Sequence, residues 1–223
     1  MSLSKRLFNK RMMQAIQSAG KFSAEDYQKD YVLKSIGLEN MLGKVHSVVG
    51  WAAIPFVEGG AVDMYYFPNH IEGTGFVTME LIDPDGTGPL PNNLGTYELV
   101  AFTRHEYADV KDSQAPFNLI KKEFFGFFSI IGIYSREAIL NPNETCEVPK
   151  GEGVENTYFL FDLYQPDNKE FNIGGRKHHL LLCIQLFRSE MEYARTKGGE
   201  ELIRKLKQAG YYPYSDLDRI PVA

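Results

Sequence analysis

The chain has 223 residues, 43% of them hydrophobic and 24% charged, with a net charge of −5. That composition supplies a sizeable core and excludes a disordered, low-complexity chain. The acidic balance argues against nucleic acid or an anionic membrane as the main partner, since both call for a basic face.

The N-terminal segment 1–43 reads as helical. Leu3, Leu7, Phe8, Met12, Ala15, Ile16 and Ala19 fall on one face, and Gly20 stands where a C-terminal cap would. Ser23 is placed to cap a second helix, with Glu25 and Asp26 in its positive first turn. Tyr27, Tyr31, Val32 and Ile36 are its expected buried side, Gly37 its expected end, and Leu38 to Gly43 a further short turn of helix. No continuous apolar stretch marks a secretory leader or a membrane span, so the cytoplasm is the expected compartment.

From Val45 the period changes to two. Val45–Trp51, Ala61–Phe67, Gly75–Leu81 and Thr96–Arg104 read as strands separated by turn-forming Gly, Pro, Asn and Asp. Short connections between them imply antiparallel pairing. Pro116 suits a first helical turn, and Phe117, Ile120, Phe124, Phe127, Phe128, Ile131 and Tyr134 then repeat on one face. Such an aromatic stripe predicts a helix lying on the sheet.

Asn141–Gly153 reads as loop, Asn156–Tyr164 as strand, Asp167–Gly175 as a polar turn, and Lys177–Phe187 as a strand buried on both faces. Ser189 and Glu192 have capping-box spacing for a last helix through Leu206, weakened by Gly198-Gly199. The tail from Tyr211 to Ala223 is too rich in Tyr and Pro for a free polar appendage, and packing back on the body is expected. The pattern predicts one α/β domain over 1–223, of the α+β type, with a mostly antiparallel or mixed sheet of about six strands flanked by helices.

Residues that carry chemistry do not assemble into a motif. The two cysteines, Cys146 and Cys183, make neither a disulfide framework nor a zinc set. His178 and His179 are neighbours on a strand, so they point to opposite faces and cannot share one metal ion. His105-Glu106 lacks the second His of a zinc-protease helix. Neither a phosphate-cradling glycine loop nor a nucleophile elbow is present. Carboxylates are plentiful at Asp63, Glu80, Asp83, Asp85, Glu98, Asp162, Asp216 and Asp218, and the sequence sets no distance between any two. The expectation is therefore no catalytic residue, no metal and no cofactor.

The order of strand segments resembles the suppressor of fused family. Val62-Asp63-Met64-Tyr65-Tyr66-Phe67 followed by Gly75-Phe76-Val77-Thr78-Met79-Glu80-Leu81 is similar to its paired strands, and Gly95 to Arg104 to its Gly…Glu-Leu…Arg strand. Leu180 to Leu186, the Glu-rich stretch from Ser189, Gly198-Gly199 and Asp216-Leu217-Asp218-Arg219 match its C-terminal third.

The resemblance implies a non-enzymatic protein-binding domain. The eukaryotic relative takes a short peptide as an added strand, and bacterial relatives are proposed immunity proteins that neutralise polymorphic toxins. The chain's length fits the bacterial kind, with a basic toxin domain as the expected partner. An adaptor using an open strand edge and an unrecognised hydrolase are the alternatives. The family's contact region falls on Phe76, Asp83 and Asp85, where the family commonly has Tyr at the position of Phe76. Core packing for Phe76 and turn formation for the aspartates are the competing accounts.

Overall fold

The computed structural model describes residues 21–109, 112–151 and 154–223, so the first expected helix lies outside the described residues. Ser23 caps helix α1 (Ala24–Leu42): its hydroxyl accepts the Asp26 amide, and the Asp26 carboxylate accepts the Ser23 amide. Gly37 does not end this helix. It lies inside α1 because an added Cβ there would stand 2.3 Å from the Asn172 carbonyl oxygen, a close approach that only glycine permits. The inward face is also rotated from the expected one. Val32 and Ile36 are 36% and 53% exposed, while Asp30, Lys34, Leu38 and Met41 are buried.

Strands β1 (Val49–Gly50), β2 (Met64–Phe67), β3 (Thr74–Val77) and β4 (Tyr97–Thr103) form an antiparallel meander, as the short connections imply. Two further strands lie in segments read as loop and polar turn, β5 (Thr145–Val148) and β7 (Phe171–Ile173). β5 is half-exposed, and β7 is too short to display a period. With β6 (Thr157–Leu163) and β8 (Arg176–Leu186) the sheet has eight strands, not about six. β4 pairs in parallel with β8, β8 runs antiparallel to β6, and β6 to β5 at the far edge, while β7 forms a hairpin with β8.

Both faces of the sheet are covered, which is why every residue of β4 is buried. Val100, Phe102, Leu180 and Leu182 meet α1 and the C-terminal helices α3 (Arg188–Lys197) and α4 (Gly199–Gln208). Leu99, Ala101, Leu181 and Cys183 meet the aromatic stripe of α2 (Pro116–Tyr134). Gly198, at φ +96°, separates α3 from α4 instead of sitting within one helix. The capping carboxylate of α3 is Glu190, which accepts the Phe187 amide at 3.1 Å, whereas Glu192 pairs with Arg188 at 3.0 Å. The tail returns to the body, where the Ser215 amide donates to the Phe102 carbonyl.

Candidate functional site

Reading α1 backward from Leu38 in helical steps brings Lys34 and then Asp30 to the face that meets the sheet. Both are buried, and the surrounding elements supply their partners. Lys34 Nζ donates to the carbonyls of Met79 (2.7 Å) and Ile82, and lies 2.9 Å from Asp30 Oδ2 and 3.4 Å from Glu98 Oε1. Burial by itself would lower the Lys34 pKa, but Glu98 and Asp30 outweigh it and the net shift is upward. The side chain is an ammonium.

Glu98 enters from the middle of the sheet, on β4. Its carboxylate accepts from the Thr78 hydroxyl (2.7 Å) and from the amides of Leu81 (3.2 Å) and Ile82 (3.1 Å). Burial pushes its pKa up, with Lys34 and these donors opposing. The segment after β3 is thereby bent around a carboxylate and an ammonium, and carries Glu80 and Asp83 to the rim of a cavity.

That cavity has a volume of about 210 Å³. Its charged lining is Asp30, Lys34, Asp63, Glu80, Asp83 and Arg136, so four carboxylates face two bases. The apolar lining includes Tyr27, Tyr31, Trp51 and Phe56. Asp63 stands just before β2 and accepts the Ala52 amide at 2.8 Å; Glu80 accepts the Tyr65 hydroxyl at 3.1 Å. Neither has an ion-pair partner within 4.0 Å among the described residues. Burial pushes Asp63 up to about 6. Burial, then Asp63 and Glu98, push Glu80 well above the usual carboxylate range. Burial keeps both carboxyls more protonated than an exposed carboxylate would be, and a cation arriving there displaces those protons.

Asp30 gives one oxygen to Lys34 while Oδ1 has no hydrogen-bond partner among the described residues, although the residue is only 6% exposed. At the mouth, Trp51 is 40% exposed. The Arg136 guanidinium stacks over the Phe56 ring at 4.3 Å.

Of the three residues picked out by resemblance, Asp83 and Asp85 share Lys21, at 2.9 and 3.6 Å, while Phe76 lies in the core. Phe76 is wholly buried, stacked on Phe117 (5.8 Å) and Phe124 (5.1 Å), and presents no surface to a partner. Asp83 lies at the cavity rim, 2.9 Å from Lys21. Asp85 is a turn residue, accepting the Thr87 amide and hydroxyl at 2.9 and 2.6 Å. Of the other carboxylates, Asp63, Glu80 and Glu98 are gathered by the fold and are not solvated surface groups; Asp162 and Asp216 serve the tail, bonded to the Tyr212 hydroxyl and the Arg104 amide. Asp30, Lys34 and Trp51 carry no motif. The one sequence signal for Asp30 and Lys34 is the helical face that Leu38 and Met41 continue.

His178 is buried on β8 with Nδ1 2.7 Å from the Thr96 hydroxyl. Among the described residues no three His, Cys, Asp or Glu side chains gather as a metal site, and no helix is long and apolar enough to cross a membrane.

No protein-family model matches the sequence, and no curated protein matches it. A solved structure does: the crystal structure of the Sufu-Fu complex, with a TM-score of 0.56 at 15% identity, over 86% of this chain and 91% of that one. At that identity the likeness is one of fold, a suppressor of fused-like mixed α/β architecture.

Proposed function

We propose that this chain is a non-catalytic protein-binding domain, an intracellular immunity protein that docks on a basic toxin domain through the mouth of the carboxylate cavity. The observation that carries the reading is the excess of carboxylates, four against two bases, around an opening at which Trp51 is 40% exposed. An exposed aromatic beside a net acidic rim has the anatomy of a docking surface, where the field steers the partner and the aromatic anchors it. The solved structure of similar fold is a complex of two proteins, which supports the reading.

The test is co-expression with the protein domains encoded beside its gene. Rescue of growth from a basic toxin domain, and co-elution with it, are expected. Rescue is lost in Trp51→Ala and kept in Ile130→Ser, a substitution at an exposed position of α2. Rescue indifferent to Trp51 moves the interface elsewhere, and the absence of any complex removes the immunity role.

A second reading is an adaptor that adds a peptide strand. β5 closes the sheet order, and the exposed side chains of Ile130, Tyr134 and Ile139 stand beside it around one groove. Loss of binding in Ile130→Ser with Trp51→Ala silent would favour it.

A further inference from the structure

The inner wall of the cavity is complete. Lys34 spends its donors on Met79, Ile82 and Asp30, and Glu98 is filled by Thr78, Leu81, Ile82 and Lys34. The carboxylates without a cation of their own line the cavity from two segments, Asp63 before β2 and Glu80 after β3, and beside them Asp30 on α1 keeps a buried Oδ1 without a hydrogen-bond partner among the described residues. A carboxylate oxygen buried without a donor carries an uncompensated desolvation cost. Such a group is kept where a ligand supplies the donor.

We propose that the cavity seats an arginine side chain of the bound protein, its guanidinium held by Asp63 and Glu80 and its stem lying against Trp51. This deepens the protein-binding reading and rests on it. Three observations select guanidinium over ammonium. The acceptors diverge around the cavity, which suits a planar group with five donors better than a compact one. The side walls are flat aromatic rings, and the Arg136–Phe56 stack at the same mouth is already a guanidinium on an aromatic face. A cavity of about 210 Å³ holds a whole arginine side chain, not only its tip.

Binding is coupled to proton release. The groups that face Asp63 and Glu80 are Asp30, Tyr31 and Lys34 from α1, Tyr65 from β2, Glu98 from β4, and Asp83 and Arg136 at the rim. Burial raises both carboxyls, so an arriving cation drives their protons off, and affinity grows as pH rises through the Asp63 value of about 6.

Trp51 is the one tryptophan of the chain and lines the cavity, so its fluorescence reports occupancy. The experiment titrates the full chain with N-acetyl-arginine N-methylamide, and in parallel with the citrulline and lysine analogues. A saturable change with the arginine compound is expected, at least tenfold weaker with citrulline, and at least tenfold weaker in Asp63→Asn and in Glu80→Gln. Circular dichroism and thermal melting confirm that both variants fold.

Citrulline binding as well as arginine, or no loss in either variant, overturns the proposal. Lysine binding as tightly as arginine overturns the guanidinium assignment. A toxin complex that survives Asp63→Asn and Glu80→Gln, with no response to capped arginine, removes the arginine seat and leaves the protein-binding reading standing. Capped arginine bound by a chain that forms no protein complex removes that reading instead.

Discussion

Arg219 and Glu190 form a two-bond ion pair, at 2.6 and 2.8 Å, with both side chains withdrawn from solvent. Glu190 thus has three tasks, since it also caps the first turn of α3 and accepts the Val222 amide at 3.0 Å. Three residues earlier in the tail, Asp216 accepts from the Thr103 hydroxyl and from the Arg104 amide at the end of β4. The Asp-x-x-Arg ending is a double clamp that fixes the tail to the end of one strand and the start of one helix.

Arg219→Ala leaves the Glu190 carboxylate buried without its cation. The expected cost is about 3–5 kcal/mol, because removing one partner strands the other in a medium of low dielectric. Adding Glu190→Gln recovers part of it, since the neutral amide no longer needs the charge. Urea unfolding of the single and double variants measures both. A loss under 1 kcal/mol for the single variant would sink the account.

Two helical glycines give opposite outcomes on substitution by alanine. At Gly37 the new Cβ meets the Asn172 carbonyl at 2.3 Å and the Phe171 ring at 3.1 Å, so α1 must lift from β7. At Gly126, inside α2, the Cβ meets nothing within 4 Å. Gly126→Ala is expected to stabilise by about 0.5–1 kcal/mol through helix propensity alone. Gly37→Ala is expected to destabilise by about 1–3 kcal/mol despite the same propensity gain, as overpacking does. Paired thermal melts decide it, and shifts of the same sign refute the crossing argument.

These two glycines also show how far the sequence is legible. Gly37 in a helical pattern reads as a stop because propensity is local, while the reason for it, the carbonyl of Asn172, comes from a distant strand. α2 is readable because its aromatic and aliphatic residues from Phe117 to Ile131 answer to one period, and β8 because its unbroken apolar run marks a strand buried on both faces. The inward face of α1 is not, because its buried positions hold Asp30 and Lys34, a pair at i,i+4 that on most helices is a solvated one. The cavity is unreadable for the same reason. Asp63, Glu80 and Glu98 belong to separate strand ends, and only the register of β2, β3 and β4 brings them to one place.

Asp63 makes stability depend on pH. Its folded pKa of about 6 lies above the ordinary 3.8, so between those values the folded chain binds more protons than the unfolded one. The contribution is full below pH 3.8 and is lost as pH rises through 6, by about 3 kcal/mol at 1.36 kcal/mol per unit. Asp63→Asn removes that loss, so its advantage over the parent grows across this window and is largest at pH 7. Denaturation curves at half-unit steps of pH measure the difference, and a constant offset between the two proteins is the failing result.

His178 acts in the reverse direction. Burial, then Arg176, lower it from 6.5 to about 4, so the unfolded chain binds the extra proton in this interval. Its contribution is present above pH 6.5 and is lost as pH falls toward 4, again by about 3 kcal/mol. The Asp63 and His178 slopes oppose each other between pH 4 and 6, which leaves the parent curve flatter than either variant. In His178→Gln the opposing slope is gone, and stability falls as pH rises across that interval. A variant curve parallel to that of the parent would contradict this.

Lys34→Met tests whether the buried ion cluster holds α1 to the sheet. The methionine fills a similar volume, so packing is largely kept and what is lost is the cation shared by Asp30 and Glu98 and the donors to Met79 and Ile82. Stranding these groups is expected to cost about 3–5 kcal/mol at pH 7. The loss shrinks toward pH 5, because the Glu98 carboxyl, whose pKa burial already raises, takes up a proton once its cation is gone. Adding Glu98→Gln to Lys34→Met therefore recovers stability at pH 7 and changes little at pH 5. Urea unfolding of the three proteins at both pH values separates this from a packing defect, for which the cost would be equal at pH 5 and pH 7 and the second substitution would add to it.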